Sequence, residues 1–104
     1  MNKSCCDEKL AELLDENFFK ALGDVSRQDI LLGLVAKNES QTVSEIAECC
    51  PQSISVVSRH LKMLKDVGVL NAEKQGKEVL YQVDVKSIVT YLRELADAIE
   101  DCCG

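Results

Sequence analysis

The chain has no tryptophan, a single proline, a single histidine and only four aromatic side chains, two tyrosines and two phenylalanines, among 104 residues. The one histidine does not sit beside a cysteine as a catalytic base. There is no C-x-x-C and no basic phosphate-type loop, so a thiol-based reductase is disfavoured. No apolar run approaches the roughly 20 residues of a membrane-spanning helix, and the N-terminus lacks an apolar signal core. With one proline and five glycines there is no linker, repeat or low-complexity segment. The expectation is a cytoplasmic protein of one domain spanning residues 1–104, and not an enzyme.

What is present is ordinary in amount and unusual in pattern. Hydrophobic residues make up 46% and charged residues 29%, the balance of a chain that builds a core. All six cysteines come as adjacent pairs, Cys5-Cys6, Cys49-Cys50 and Cys102-Cys103. Neighbouring Cα atoms lie about 3.8 Å apart, short of the roughly 4.4–6.8 Å usual for a disulfide. In a reducing compartment such pairs suit a soft, thiophilic ion.

The net charge is −6, which by itself argues against nucleic acid. Its distribution argues the other way. Residues 1–51 hold five basic against ten acidic side chains, residues 83–104 two against five, and only residues 52–82 are basic, with five against three. An acidic body around a basic reading head is compatible with specific DNA binding that bulk attraction does not boost.

Hydrophobic period divides the chain. Leu10, Leu13, Leu14, Phe18, Ala21 and Leu22 predict one helix from Asp7 to Leu22, ended by Gly23. Asp24 caps a second helix to about Lys37 with Ile30, Leu31, Leu34 and Val35 inward. Thr42-Val-Ser-Glu45 is a capping box for a short third helix to about Cys49. Pro51 forces a break, Ser53 caps a fourth helix from Ile54 to about Asp66, and Gly68 stops it. Leu70–Lys74 and Glu78–Val83 then read as a hairpin around Gln75-Gly76-Lys77, with Val79, Tyr81 and Val83 on one face. Asp84 caps a closing helix striped by Ile88, Leu92, Leu95 and Ile99. The fold class is mainly α with a β-hairpin wing, a winged helix-turn-helix with the two helices at about 43–66 and the wing at about 70–83.

On the fourth helix Ile54, Val57, Leu61 and Leu64 form the core side, and Ser55, Ser58, Arg59 and Lys62 the other. Short hydroxyls and an arginine near a helix N-terminus reach base edges, and basic residues beyond them hold phosphates. The candidate DNA-contacting set is therefore Ser53, Ser55, Ser58, Arg59 and Lys62, with Lys74 and Lys77 on the wing gripping flanking backbone.

Phe19-Lys-Ala-Leu-Gly-Asp24, Arg27, Ser44-Glu-Ile-Ala, Val57-Ser-Arg-His-Leu-Lys-Met-Leu64 and the glycine-containing wing ending at Tyr81 resemble the ArsR/SmtB family of metal-responsive repressors. The resemblance runs from Leu13 to Ile99. It departs from the family pattern at Val25, where proline is usual, and at Gln28, where leucine is common. It implies a homodimer through the first and last helices that holds double-stranded operator DNA when metal-free and leaves it on binding its effector. A family site on the closing helix would fall on Asp84, Lys86, Asp97 and Glu100, where a charged lysine cannot ligate. Another, at the start of the third helix, would fall on Thr42 and Ser44, which are not cysteines. His60 belongs to the DNA-binding helix and is read as structural or DNA-proximal, not as a ligand.

The cysteines remain. Cys50 stands where a leucine is usually buried, and Cys49 beside it is expected to be more exposed. Trivalent arsenic or antimony (arsenite or antimonite) takes about three thiolates, which a vicinal pair and one further sulfur supply. The favoured set is Cys102 and Cys103 completed by Cys5 or Cys6; the alternative joins Cys5 and Cys6 to Cys49 of the partner subunit. Cadmium, lead, bismuth or mercury, or thiol oxidation or persulfidation, are the rival triggers.

Overall fold

The computed structural model describes the backbone of residues 3–103 and the side chains of residues 8–102. The elements run α1 (Lys3–Leu13), α2 (Glu16–Leu22), α3 (Val25–Lys37), β1 (Gln41–Thr42), α4 (Val43–Glu48), α5 (Ile54–Asp66), β2 (Leu70–Gln75), β3 (Glu78–Val83) and α6 (Val85–Cys103). A mainly helical body carries a small antiparallel sheet of strand order β1-β3-β2. This is a winged helix-turn-helix.

The single helix expected from Asp7 to Leu22 is two helices. The apolar spacing continues through Leu14, but Leu14 is 53% exposed and contributes nothing to the core. Asp15 is instead an N-cap, its carboxylate accepting from the Asn17 amide at 3.0 Å. Tyr91 reaches across from α6 to seal the break. Its hydroxyl donates to the Leu13 carbonyl and accepts from the Asp15 amide at 3.3 Å. The ring packs at a tilt against Phe18, centroids 4.5 Å apart, and Phe18 meets Phe19 edge-on at 5.3 Å. Three of the four aromatics thus form one cluster where α1, α2 and α6 meet.

The remaining boundaries follow their local chemistry. Asp24 caps α3 through the Arg27 amide, and Asp84 caps α6 through the amide and hydroxyl of Ser87. Both halves of the Thr42–Glu45 capping box form. α5 ends in a Schellman motif: the Gly68 amide donates to Lys65 and the Val69 amide to Leu64, with Gly68 at φ 85°. Gln75 pairs with Glu78 across the wing, so its loop is only Gly76-Lys77, with Gly76 at φ 63°. The two-residue strand β1, absent from the sequence reading, adds Gln41 and Thr42 to β3 opposite Tyr81 and Leu80.

The core is centred on Val57, Leu61, Leu64 and Val69, all fully buried, with Ile30, Leu34, Ile46 and Tyr81 around them. Burying each such aliphatic side chain contributes about 1.5–3 kcal/mol. Two inward assignments fail. Val35 is 55% exposed, one position round the helix from Leu34, and Ile54 is 56% exposed because the first turn of α5 projects beyond the core.

The stripe on α6 also divides. Leu95 and Ala98 are buried and Ile88 and Tyr91 pack on the core, while Val85, Val89, Leu92 and Ile99 stay exposed. The second group is spaced four, three and seven residues apart, as a helix–helix seam requires. α1 packs on α6 and the chain is elongated, 53 Å by 23 Å by 22 Å. Its radius of gyration is 16.2 Å, against about 13 Å for a compact domain of this length.

Candidate nucleic-acid interface and thiol sites

α5 is divided lengthwise. Val57, Leu61 and Leu64 have no exposure, whereas Ser55, Arg59 and Lys62 are exposed and Ser58 is half-buried. The Ser53 hydroxyl accepts from the Val56 amide at 3.3 Å, so its first role is to cap the helix. Neither Arg59 nor Lys62 has a hydrogen bond or ion pair among the described residues, which leaves both cations available. Lys74 on β2 and Lys77 in the wing loop are exposed as well.

Two contacts tie α5 and its turn to α3. The Gln52 amide donates to the Ser26 hydroxyl at 2.7 Å, beside the cap of α5. The Arg27 guanidinium meets His60 Nδ1 at 3.3 Å, while its Nε donates to the Ala21 carbonyl at 2.7 Å and Nη2 to the Lys20 carbonyl at 3.2 Å. A guanidinium only donates, so Nδ1 accepts and His60 carries its proton on Nε2. Arg27 therefore closes the C-terminus of α2 and braces α5. Sequence inspection marked Arg27 only as a motif residue; its position one turn into α3, after a capping aspartate, was the available signal.

The cysteines fall into two regions. Cys49 is exposed at the C-terminal end of α4, and Cys50 is half-buried against the core. Burial, then the neighbouring Cys49 and Asp29, push the Cys50 thiol above its ordinary range and keep it protonated. Both line a cleft of about 230 Å³ between α3 and the α4–α5 turn.

The other four cysteines lie on α1 and α6. These two helices run antiparallel, because Tyr91 reaches Leu13 while Lys9 and Glu12 share a groove with Glu94 and Asp97. The backbone turn holding Cys5 and Cys6 and the turn holding Cys102 and Cys103 thus lie at the same end of the pair. Cys102 is half-buried; the side chains of Cys5, Cys6 and Cys103 lie outside the described residues. Among the described residues no three His, Cys, Asp or Glu side chains are grouped to hold a metal. On α6, the Asp84 carboxylate is occupied with capping. No described helix is long and apolar enough to cross a membrane.

A family model described as a helix-turn-helix domain matches residues 22–72. An HTH-type transcriptional regulator of Methanocaldococcus jannaschii is 37% identical over 91 residues, covering 85% of this chain and 96% of that protein. The arsenical resistance operon repressor of Bacillus subtilis is 31% identical over 99 residues, covering 93% and 89%. The cadmium resistance regulator CadC of Listeria innocua is 41% identical over 64 residues, covering 62% of this chain and 53% of that protein. An ArsR-like regulator structure from a Rhodococcus species superposes with TM-score 0.71 at 26% identity, covering 90% and 82%. A homodimeric winged helix-turn-helix domain from Mycobacterium bovis shares the fold, with TM-score 0.62 at 24% identity over 92% and 85%.

Proposed function

This chain belongs to the ArsR/SmtB family of winged-helix transcriptional repressors, and from that premise we propose that its dimer holds operator DNA and releases it when trivalent arsenic or antimony binds cysteine thiolates. α5 enters the major groove. Ser55, Ser58 and Arg59 meet base edges, and Ser53, Lys62, Lys74 and Lys77 hold phosphates. In a dimer, two such helices reach successive major grooves about one helical turn apart.

The effector site is Cys102 and Cys103 completed by Cys5 or Cys6. The observation that carries this reading is the antiparallel packing of α1 on α6, which brings the two cysteine-bearing turns to one end of the pair. Three soft sulfurs in a pyramid suit As(III) and Sb(III) and disfavour hard ions. Both helices belong to the elongated arm that carries the exposed seam, so pulling their ends together changes the spacing of the two α5 helices. Couplings of about 1–3 kcal/mol are typical of such switches.

The test is release of a fluorescent operator duplex titrated with arsenite, antimonite and cadmium. Arsenite and antimonite are expected to release the wild-type protein. Cys102→Ser with Cys103→Ser should leave DNA affinity unchanged and abolish release. Normal release of that double variant would refute the site, and release by cadmium alone would refute the metalloid assignment, to which the likeness to CadC gives the rival reading.

A further inference from the structure

We propose that the cleft between α3 and the α4–α5 turn binds a small zwitterionic amino-acid disulfide and that Cys49 at its rim is the residue the ligand modifies. The cleft lies away from the terminal cysteine pairs, and its volume of about 230 Å³ accommodates one half of such a molecule. Five polar side chains line it besides the two thiols; Ser26 and Gln52 are hydrogen-bonded to each other, which leaves Gln41, Asp29 and Lys37 for a ligand. Gln41 is 5% exposed, and its amide nitrogen has no hydrogen-bond partner among the described residues. A buried donor left unpaired costs about 1–3 kcal/mol; this nitrogen is itself closed to solvent, and a turn of the Gln41 amide toward the cleft would let an arriving acceptor recover that loss. Asp29 and Lys37, on the α3 wall, supply one carboxylate and one ammonium. They are eight residues apart, about 12 Å along the helix axis, a separation the long lysine side chain can narrow. Ile30, Leu34 and Ile46 form the apolar remainder.

An acceptor for Gln41 and Lys37 together with a cation for Asp29 is the complement of an α-amino acid. The sulfur chemistry is set by the two thiols. Cys50 is half-buried and held protonated, whereas Cys49 is exposed at the helix end, where an incoming disulfide can meet it. The step is an exchange. The Cys49 thiolate attacks one sulfur of the disulfide, its S–S bond breaks, a new S–S bond joins that half to Cys49, and the other half leaves as thiolate. The proton lost by Cys49 ends on the leaving thiol, and no other oxidant is consumed. Cys50 does not readily expel the adduct, because adjacent cysteines close a disulfide poorly.

The test uses the reduced full chain with L-cystine as probe, and mass spectrometry of the peptide holding Cys49 and Cys50. Cystamine, which lacks the carboxylates, and dithiodipropionate, which lacks the ammonium groups, are the comparison disulfides. Cystine is expected to modify Cys49 at least about tenfold faster than either, the effect of one charge-assisted hydrogen bond. Gln41→Leu and, at an exposed position, Asp29→Asn should each bring the cystine rate down towards the comparison rates. Equal rates for the three disulfides, an adduct on Cys50 in place of Cys49, or unchanged rates in folded Asp29→Asn protein would overturn the proposal. Each outcome is read without DNA or metalloid, so it is separable from the fate of the repressor reading.

Discussion

Arg59 and Glu45 show how differently exposed charges are used in this fold. Arg59 has no partner among the described residues and lies on the face of α5 opposite Val57, Leu61 and Leu64. Arg59→Ala should weaken specific operator binding by about 1–3 kcal/mol and leave the dimer intact. Gel-shift titration against specific and scrambled duplexes checks this, and an unchanged ratio of the two affinities would exclude base reading. Glu45 is occupied: its carboxylate accepts from the Thr42 amide at 2.8 Å, and that bond, with the Thr42 hydroxyl, lowers its pKa. A lowered carboxyl pKa contributes stability above the unfolded value and loses it as pH falls through the folded one. The stability difference between wild type and Glu45→Gln should therefore be present at neutral pH and disappear in acid. Denaturant melts at a series of pH values measure it; a difference that persisted at low pH would remove the capping carboxylate as its cause. The Thr42–Glu45 capping box was legible in advance because it depends on spacing within one helix. Arg27 was not, since its three acceptors are two carbonyls of α2 and a ring nitrogen on α5.

Helices with chemical marks at both ends were placed best. α5 runs from Ile54 to Asp66 as expected because Ser53 caps it and Gly68 in the left-handed region closes it. The first helix misled because Leu14 continues the apolar rhythm, while the decisive group, the Tyr91 hydroxyl, comes from 76 residues away. No local pattern reports such a contact. Tyr91→Phe keeps the ring contact with Phe18 and removes the bonds at Leu13 and Asp15, which should cost about 1 kcal/mol. The melting temperature should fall by about 4–8 °C, and the Asp15 amide should exchange faster with solvent. Unchanged exchange there would show that the break is held by Asp15 alone. The strand β1 escaped notice for a related reason: two residues carry no periodicity, and their place depends on β3, some 40 residues later in the chain.

At the scale of the whole molecule, the sequence showed an apolar closing helix but not that its surface has two separate uses. Leu95 and Ala98 face the chain's own interior, and Val85, Val89, Leu92 and Ile99 are exposed along one seam, where the proposed dimer would pack a second copy. Leu92→Glu should therefore convert the dimer to monomer in analytical ultracentrifugation while the helix content by circular dichroism stays unchanged; a dimer that survived would place the interface elsewhere. The paired sulfurs were legible in the sequence; that the backbone turns of Cys5-Cys6 and Cys102-Cys103 lie at one end depends on how α1 lies along α6. The bonds from Ser26 to Gln52 and from Arg27 to His60 act on this same scale. They tie α5 and its leading turn to α3 near the start of α5 and again half-way along it. On the proposed reading, a signal from the far tips would then travel as a turning of entire subunits about the seam between them, altering the stride between the two helices and leaving each one's grip intact.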